Sequence, residues 1–231
     1  MKLKQIILVS ATVFFICSCN AQTNKVSSHK TITRTTSTKL GALAKSIDEK
    51  AATSEAFRKL GSRMDRLSLQ LFGCLNELEN ENNYNTGDRD VLAKYYTEVD
   101  NYNALLDFAQ TENDPKAVDS ILSFIEDDVA LKYDLDAPDP ADRRARLVNV
   151  KVRVLNGDEL EQSGYMVFVK PELSLDPRQV EAFNPTNNAI KEIAPGKKLI
   201  WIEKNGQRLQ QRKEGIRKSR EMVTVDFVLD Q

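Results

Sequence analysis

Apolar residues between Leu40 and Leu78 recur at spacings of three and four. Phe57, Leu60, Met64, Leu67, Leu71, Cys74 and Leu78 form a heptad seam, with Leu40, Leu43 and Ile47 as a weaker lead-in. Lys50 and Ser54 break the register between the two parts. Leu69, Phe72 and Leu75 widen the stripe, which suits a globular bundle better than a bare two-stranded coil. Gly61 and Gly73 each cost ~1 kcal/mol against Ala inside a helix, so a bend or a close approach is expected there. A polar stretch, Asn80–Gly87, ends this segment. A second helix follows, with Val91, Tyr95, Val99, Tyr102, Leu106 and Ala109 on one face. Asp114-Pro115 opens a third: Asp accepts from free N–H groups, and Pro is tolerated at the first helical position. Its stripe is Val118, Ile121, Leu122, Ile125 and Val129. One stripe alone cannot hide itself, so residues 40–133 are predicted to form an antiparallel bundle of about three helices. The same seam would also serve an intermolecular coiled coil, in which Cys74 would cross-link two chains.

Residues 134–146 read as a linker, because Pro138 and Pro140 stiffen the backbone and cannot continue a helix. The period then changes to two. Val148, Val150, Val152 and Val154 alternate with polar residues, and Asn156-Gly157 marks a turn. Further strands are predicted at Tyr165–Lys170, Leu199–Glu203 and Met222–Leu229, with shorter ones near Val180–Phe183, Ala189–Ile193 and Gln207–Gln210. Short strands separated by turns predict an all-β sandwich over 147–231. The fold class is therefore α+β, in two units. Residues 19–39 are polar, rich in Thr, Ser and Lys and without apolar period, and read as a flexible tether.

The N-terminus carries Lys2 and Lys4, the apolar run Ile6–Ile16, then Ser18 and Cys19. A basic start, a short apolar core and small residues describe an export signal over 1–18. Such a run is too short for a permanent span, which takes ~20 apolar residues. Ile16-Cys17-Ser18-Cys19 resembles the lipobox of bacterial lipoproteins. The resemblance implies that Cys19 is the first mature residue and carries diacylglycerol, with an amide-linked chain such as palmitate. It implies lipid anchorage in a bacterial cell envelope. Asn20 is not the Asp that resembles an inner-membrane retention signal, so the outer membrane is expected. The competing reading is cleavage after Ala21, giving a soluble secreted protein.

A second resemblance lies in the C-terminal unit. The strand Val148–Val154, the turn Asn156-Gly157, the strand Gly164-Tyr165-Met166-Val167 and the stretch Ile193-Ala194-Pro195-Gly196-Lys197-Lys198-Leu199-Ile200-Trp201 resemble carboxypeptidase regulatory-like domains. The resemblance implies a transthyretin-like Greek-key sandwich. Such modules are usually non-catalytic appendages of envelope and extracellular proteins. The long segment Leu173–Ala189 departs from the family's pattern.

Charge sharpens the division into two units. Residues 40–140 hold 10 basic and 21 acidic side chains, a net of −11, whereas residues 141–231 hold 17 and 13, a net of +4. With Cys17 lost with the signal and Cys19 acylated, Cys74 remains alone, so no intrachain disulfide is expected. The single histidine, His29, falls in the expected tether and cannot serve as a rigidly held base there. Zinc sites need about four ligands, and no Gly-rich phosphate loop is present, so neither metal nor cofactor is expected. Glu77, Glu79, Glu81 and the run Glu126-Asp127-Asp128 read as solvated faces. Asp134, Asp136, Asp139 and Asp142 lack the Gly and distal Glu of a calcium loop.

The candidate binding surface is the basic run Arg208, Arg212, Lys213, Arg217, Lys218 and Arg220, which suits an anion, a partner or the acidic helical unit of the same chain. Trp201 and Tyr165 are candidate aromatic ligand contacts, with a core role favoured for at least one. The expected function is a non-enzymatic envelope lipoprotein with a structural or protein-interaction role. Its partners would be the membrane, through lipid, and another envelope protein; nucleic acid is not expected. The alternative is a module for glycans, lipopolysaccharide or other anionic envelope polymers. A carboxylate-based hydrolase is the weaker third reading.

Overall fold

Ser54 divides the long apolar seam. Its hydroxyl accepts from Phe57 N at 3.4 Å, starting a new helix after a turn at Ala52-Thr53. The computed structural model describes residues 25–80, 84–139, 143–157 and 161–229. The export signal, Cys19, Glu81 and Asp142 lie outside the described residues. Among the described residues, four α-helices stand where three are expected: α1 (Lys25–Ala51), α2 (Glu55–Glu79), α3 (Arg89–Thr111) and α4 (Pro115–Lys132). α4 begins as its sequence predicts, with Pro115 in the first turn and Asp114 Oδ1 accepting from Lys116 N at 3.0 Å.

α1 corrects the expectation of a flexible tether, because the chain is helical from Lys25. Its inward stripe is Ile32, Thr36, Leu40, Leu43 and Ile47. Thr36 occupies an apolar register position, fully buried, and donates to Asn103 Oδ1 at 3.0 Å. The threonine-rich composition hides a stripe that a hydroxyl completes. Farther along, Ser46 and Lys50 donate to Gln110 O at 2.8 and 3.0 Å, so α1 closes the C-terminal end of α3.

Consecutive helices are antiparallel, but not every neighbour is. α1 packs on α2 and α3, and α4 packs on α2 and α3. Thr36 meets Asn103 and Ser46 meets Gln110, so α1 and α3 run parallel. Arg63 meets Asp119, and Arg66 meets Glu126, so α2 and α4 run parallel as well. One apolar cluster fills the centre, from Leu40 through Phe57, Leu67, Leu71, Val99, Leu106 and Leu122 to Val129. Cys74 lies inside it, 3 % exposed, and burial pushes its thiol up to about 12.

The C-terminal unit has two sheets. Strands β1 (Val148–Leu155), β4 (Ile190–Ile193) and β7 (Val223–Val228) form one, in the order β4-β1-β7 with β1 and β7 parallel. Strands β2 (Met166–Pro171), β3 (Glu181–Ala182), β5 (Gly196–Lys204) and β6 (Gln207–Ile216) form the other, in the order β3-β2-β5-β6. Val150, Val152 and Val154 of the first sheet share one core with Val167, Val169, Ile200 and Ile202 of the second, an arrangement like a β-sandwich. Asn205 and Gly206, both at positive φ, turn β5 into β6. β6 runs six residues beyond its predicted end. It is an edge strand, so its outward positions need no apolar signal.

Described residues on both sides of 140–142 are packed rather than loose. Ala137 is 5 % exposed, and Leu135, Ala145 and Leu147 pack on the helical core. Tyr84 Oη accepts from Ala145 N at 3.0 Å, and Tyr95 Oη donates to Arg146 O at 3.1 Å.

Gly61 and Gly73 differ in their surroundings. A Cβ at Gly61 would meet nothing within 4 Å, whereas at Gly73 it would lie 2.8 Å from the Tyr133 ring. Gly61→Ala is therefore expected to stabilise the protein by ~1 kcal/mol, and Gly73→Ala to destabilise it by ~1 to 2 kcal/mol through overpacking. Urea unfolding of the two variants measures both signs.

Candidate functional site

The helical and β units join through charge. Along α3 the spacing Val91, Tyr95, Glu98, Tyr102 places Glu98 on the apolar face. Along α4 the spacing Ile125, Asp128, Lys132 does the same for two more charges. On β5, Lys198 takes the alternation of Ile200 and Ile202. All four are buried, with Lys132 1 % and Lys198 2 % exposed.

The four form one network with Tyr102. The Lys132 ammonium meets Glu98 Oε2 at 3.0 Å, donates to Tyr102 Oη at 3.2 Å and donates to Asp128 Oδ2. Tyr102 Oη donates to Asp128 Oδ2, and Lys197 N donates to Asp128 Oδ1. Lys198 Nζ donates to Glu98 Oε1. Two cations face two anions, so the buried charge is balanced.

Gly196 makes the approach possible. Its φ is +124°, a conformation side chains rarely adopt. A Cβ there would lie 2.7 Å from Asp128 Oδ1 and would also collide with Lys132 Nζ. The Pro-Gly step that leads into β5 is thus also the place where two helices reach the sheet.

Burial opposes ionisation of Asp128, but the Lys132 ammonium and the hydrogen bonds from Lys132, Tyr102 and the Lys197 amide outweigh it, holding the carboxyl below the usual carboxylate range. For Lys132, burial is outweighed by Asp128 and Glu98, and its pKa is raised. For Lys198, burial prevails over Glu98, with Lys132 adding to it, and its pKa is lowered. Burial, then Asp128, push the Tyr102 hydroxyl well above its ordinary range. The cluster holds no nucleophile poised beside a free base; its groups satisfy one another.

Beside the network a cavity of about 260 Å³ opens between α3, β2 and the segment around Pro177–Gln179. Glu98 and Lys198 line it, with Ala93, Val169, Ile193 and Ala194 among its walls. Asn101 and Gln179 exchange two amide hydrogen bonds at 3.0 and 3.3 Å, holding the Leu173–Ala189 segment on α3.

The structure divides the predicted basic run. Arg208 lies 4.4 Å over the Trp201 ring. Arg212 donates to Asp226 O at 2.6 Å and pairs with Glu214; Lys213 pairs with Glu172. All three lie along β6. Arg217, Lys218 and Arg220 line a different cavity of about 570 Å³, beside Tyr133 and Asp134 at the C-terminal end of α4. Lys218 N donates to Leu131 O at 2.8 Å, and cations are favourable at that helix end. This half of the run lies beside the C-terminal end of α4, apart from the half on β6.

The two aromatics also part. Tyr165 lies in the sandwich core with Lys204 Nζ 4.4 Å over its ring. Trp201 stacks on Phe168 on the opposite sheet face, 5.4 Å between centroids, and donates to Glu203 Oε1 at 2.7 Å. They do not make one ligand platform. Asp128, expected on a solvated face, is 5 % exposed. Glu98, Lys132 and Lys198 escape a reading by composition. Their signal is a charge at a position where the apolar period calls for a hydrophobe.

No protein-family model, curated protein or solved structure matches the chain.

Lys132→Met leaves two buried carboxylates facing one another and is expected to cost ~3 to 5 kcal/mol in urea unfolding. The acid limb has a definite sign. Because the folded-state pKa of Asp128 is depressed, its stabilisation is present above the unfolded value near 3.8 and is lost as pH falls through the lower folded value. Asp128→Asn should lower stability at neutral pH and flatten that limb. Urea titrations at pH 6 and below measure both effects.

Proposed function

We propose that the protein is a non-enzymatic lipoprotein of the bacterial envelope, held in the outer membrane through lipid on Cys19, whose folded part docks another envelope protein. The observation that carries this reading is the outer face of α2. Leu69 and Phe72, three residues apart, are 60 % and 39 % exposed on a helix whose opposite side is buried. Neighbouring exposed hydrophobes on a rigid helix suit a protein partner. The groove beside Arg212 has Phe227 as its aromatic, and that ring is 2 % exposed, so it offers a sugar no stacking surface. The balanced ion network adds support, since it makes the helical and β units one stiff support and leaves none of its carboxylates free for acid–base work.

The C-terminal unit is read as a transthyretin-like Greek-key module of the carboxypeptidase regulatory-like kind. Its two sheets around one core and the Pro195-Gly196 entry into β5 agree with that reading.

Leu69→Glu is expected to change stability by no more than ~0.5 kcal/mol, as an exposed position. Cross-linking in membranes should yield a covalent protein adduct with the parent chain that Leu69→Glu together with Phe72→Glu abolishes. Adducts carrying polysaccharide instead, or an N-terminal mass showing Cys19 without acyl groups, contradict the proposal.

A further inference from the structure

A strand paired on one side leaves alternate N–H and C=O groups bare on the other, where a further strand can pair. The two sheets end on β3, β4, β6 and β7, and three of these edges are blunted. β3 is two residues long and β4 four, and the Ala182 and Glu192 carbonyls accept from Lys191 Nζ at 3.0 Å and Lys94 Nζ at 3.2 Å. On β7 the Asp226 and Val228 carbonyls accept from Arg212 Nη1 at 2.6 Å and Gln210 Nε2 at 3.0 Å. β6 differs. It runs ten residues, pairs with β5 alone among the described strands, and only Ile216 in it is buried. Leu131 of α4 lies against Gly215, so the open stretch is 207–214.

The side chains beside this edge narrow what pairs there. Arg208 and Lys213 stand on the sheet face that carries Trp201, whereas Gln210 and Arg212 stand on the face of Ile200 and Ile202. Arg208 lies over the Trp201 ring, donates to Gln211 Oε1 at 3.2 Å and has no ion pair among the described residues. Lys213 pairs with Glu172 yet keeps 72 % of its side chain exposed. On the opposite face a groove of about 480 Å³ runs between β6 and β7, with Val228 52 % exposed in it. A second β6 laid against the first would set Arg208, Arg212 and Lys213 of two chains side by side, which like charge opposes. We propose that β6 takes an added strand from a partner protein: an extended acidic segment whose backbone pairs with β6, whose carboxylates face Arg208 and Lys213, and whose alternate apolar side chains lie over Val228. Backbone hydrogen bonds supply the affinity, and the alternation of acidic and apolar residues supplies the selection.

The proposal is independent of the docking face on α2, and its test separates the two. The probe is the end-blocked heptapeptide Thr-Val-Glu-Val-Glu-Val-Thr, titrated calorimetrically into the full chain in detergent. Beside it stand the same peptide with Lys for Glu, and a form N-methylated at every residue, which keeps the charge but removes the backbone donors. The acidic peptide is expected to bind with a Kd near or below ~0.1 mM and the two controls at least tenfold more weakly. Arg208→Glu together with Lys213→Glu should weaken its binding at least tenfold, whereas Leu69→Glu together with Phe72→Glu should leave it unchanged. Hydrogen exchange on the parent chain should show protection gained by amides within 207–214 when the peptide is bound. Absent binding, equal binding of either control peptide, or protection gained on α2 instead of β6 would overturn the proposal.

Discussion

Asp128 is the point on which the arrangement of the two units depends. It sits on the apolar face of α4 and accepts from Lys132, from Tyr102 and from the backbone of Lys197 on β5. A carboxylate moved out of water without such partners would be strongly destabilising. The surrounding donors make its burial tolerable, and they come from α3, α4 and the sheet at once. The relative placement of helices and sheet is therefore specified by hydrogen-bond geometry as well as by apolar contact. Replacing the whole network by matched hydrophobes would cost little on general grounds, but removing one member strands its partners. That asymmetry makes the join an all-or-none device.

Gly196 and the residues around it show how local backbone and long-range charge meet. A positive φ brings the chain into β5 so closely under α4 that no side chain fits. The same strand then presents the Lys197 amide to Asp128 and the Lys198 ammonium to Glu98. Around this point, Lys94 pairs with Glu181 at 2.9 Å, and the Leu131 carbonyl takes the Lys218 amide. Tyr133, Leu135, Ala145 and Leu147 pack with the helical core. These contacts join the helical bundle to the β unit.

Much of the architecture was legible in local pattern. The stripes of α2, α3 and α4 and the alternation of β1 came directly from apolar spacing, because a helix or strand that buries one face must repeat it at its own period. The Asp114-Pro115 start was legible for the same local reason. α1 was not, since Thr36 fills a core position with a hydroxyl that finds its partner on Asn103, far away in sequence. The full length of β6 was not, since an edge strand is free to be polar on its outer side.

What the amino-acid order alone determined is the class of most segments after Leu40: helices first, strands after, and a change in sign of charge between them. What only the tertiary structure decided is the meaning of Glu98, Asp128, Lys132 and Lys198. In sequence each is one charge among many, and a charge at an apolar register position has no local explanation. Its explanation is a partner from another element. Such partners are brought together by packing, over sequence separations that no local period encodes.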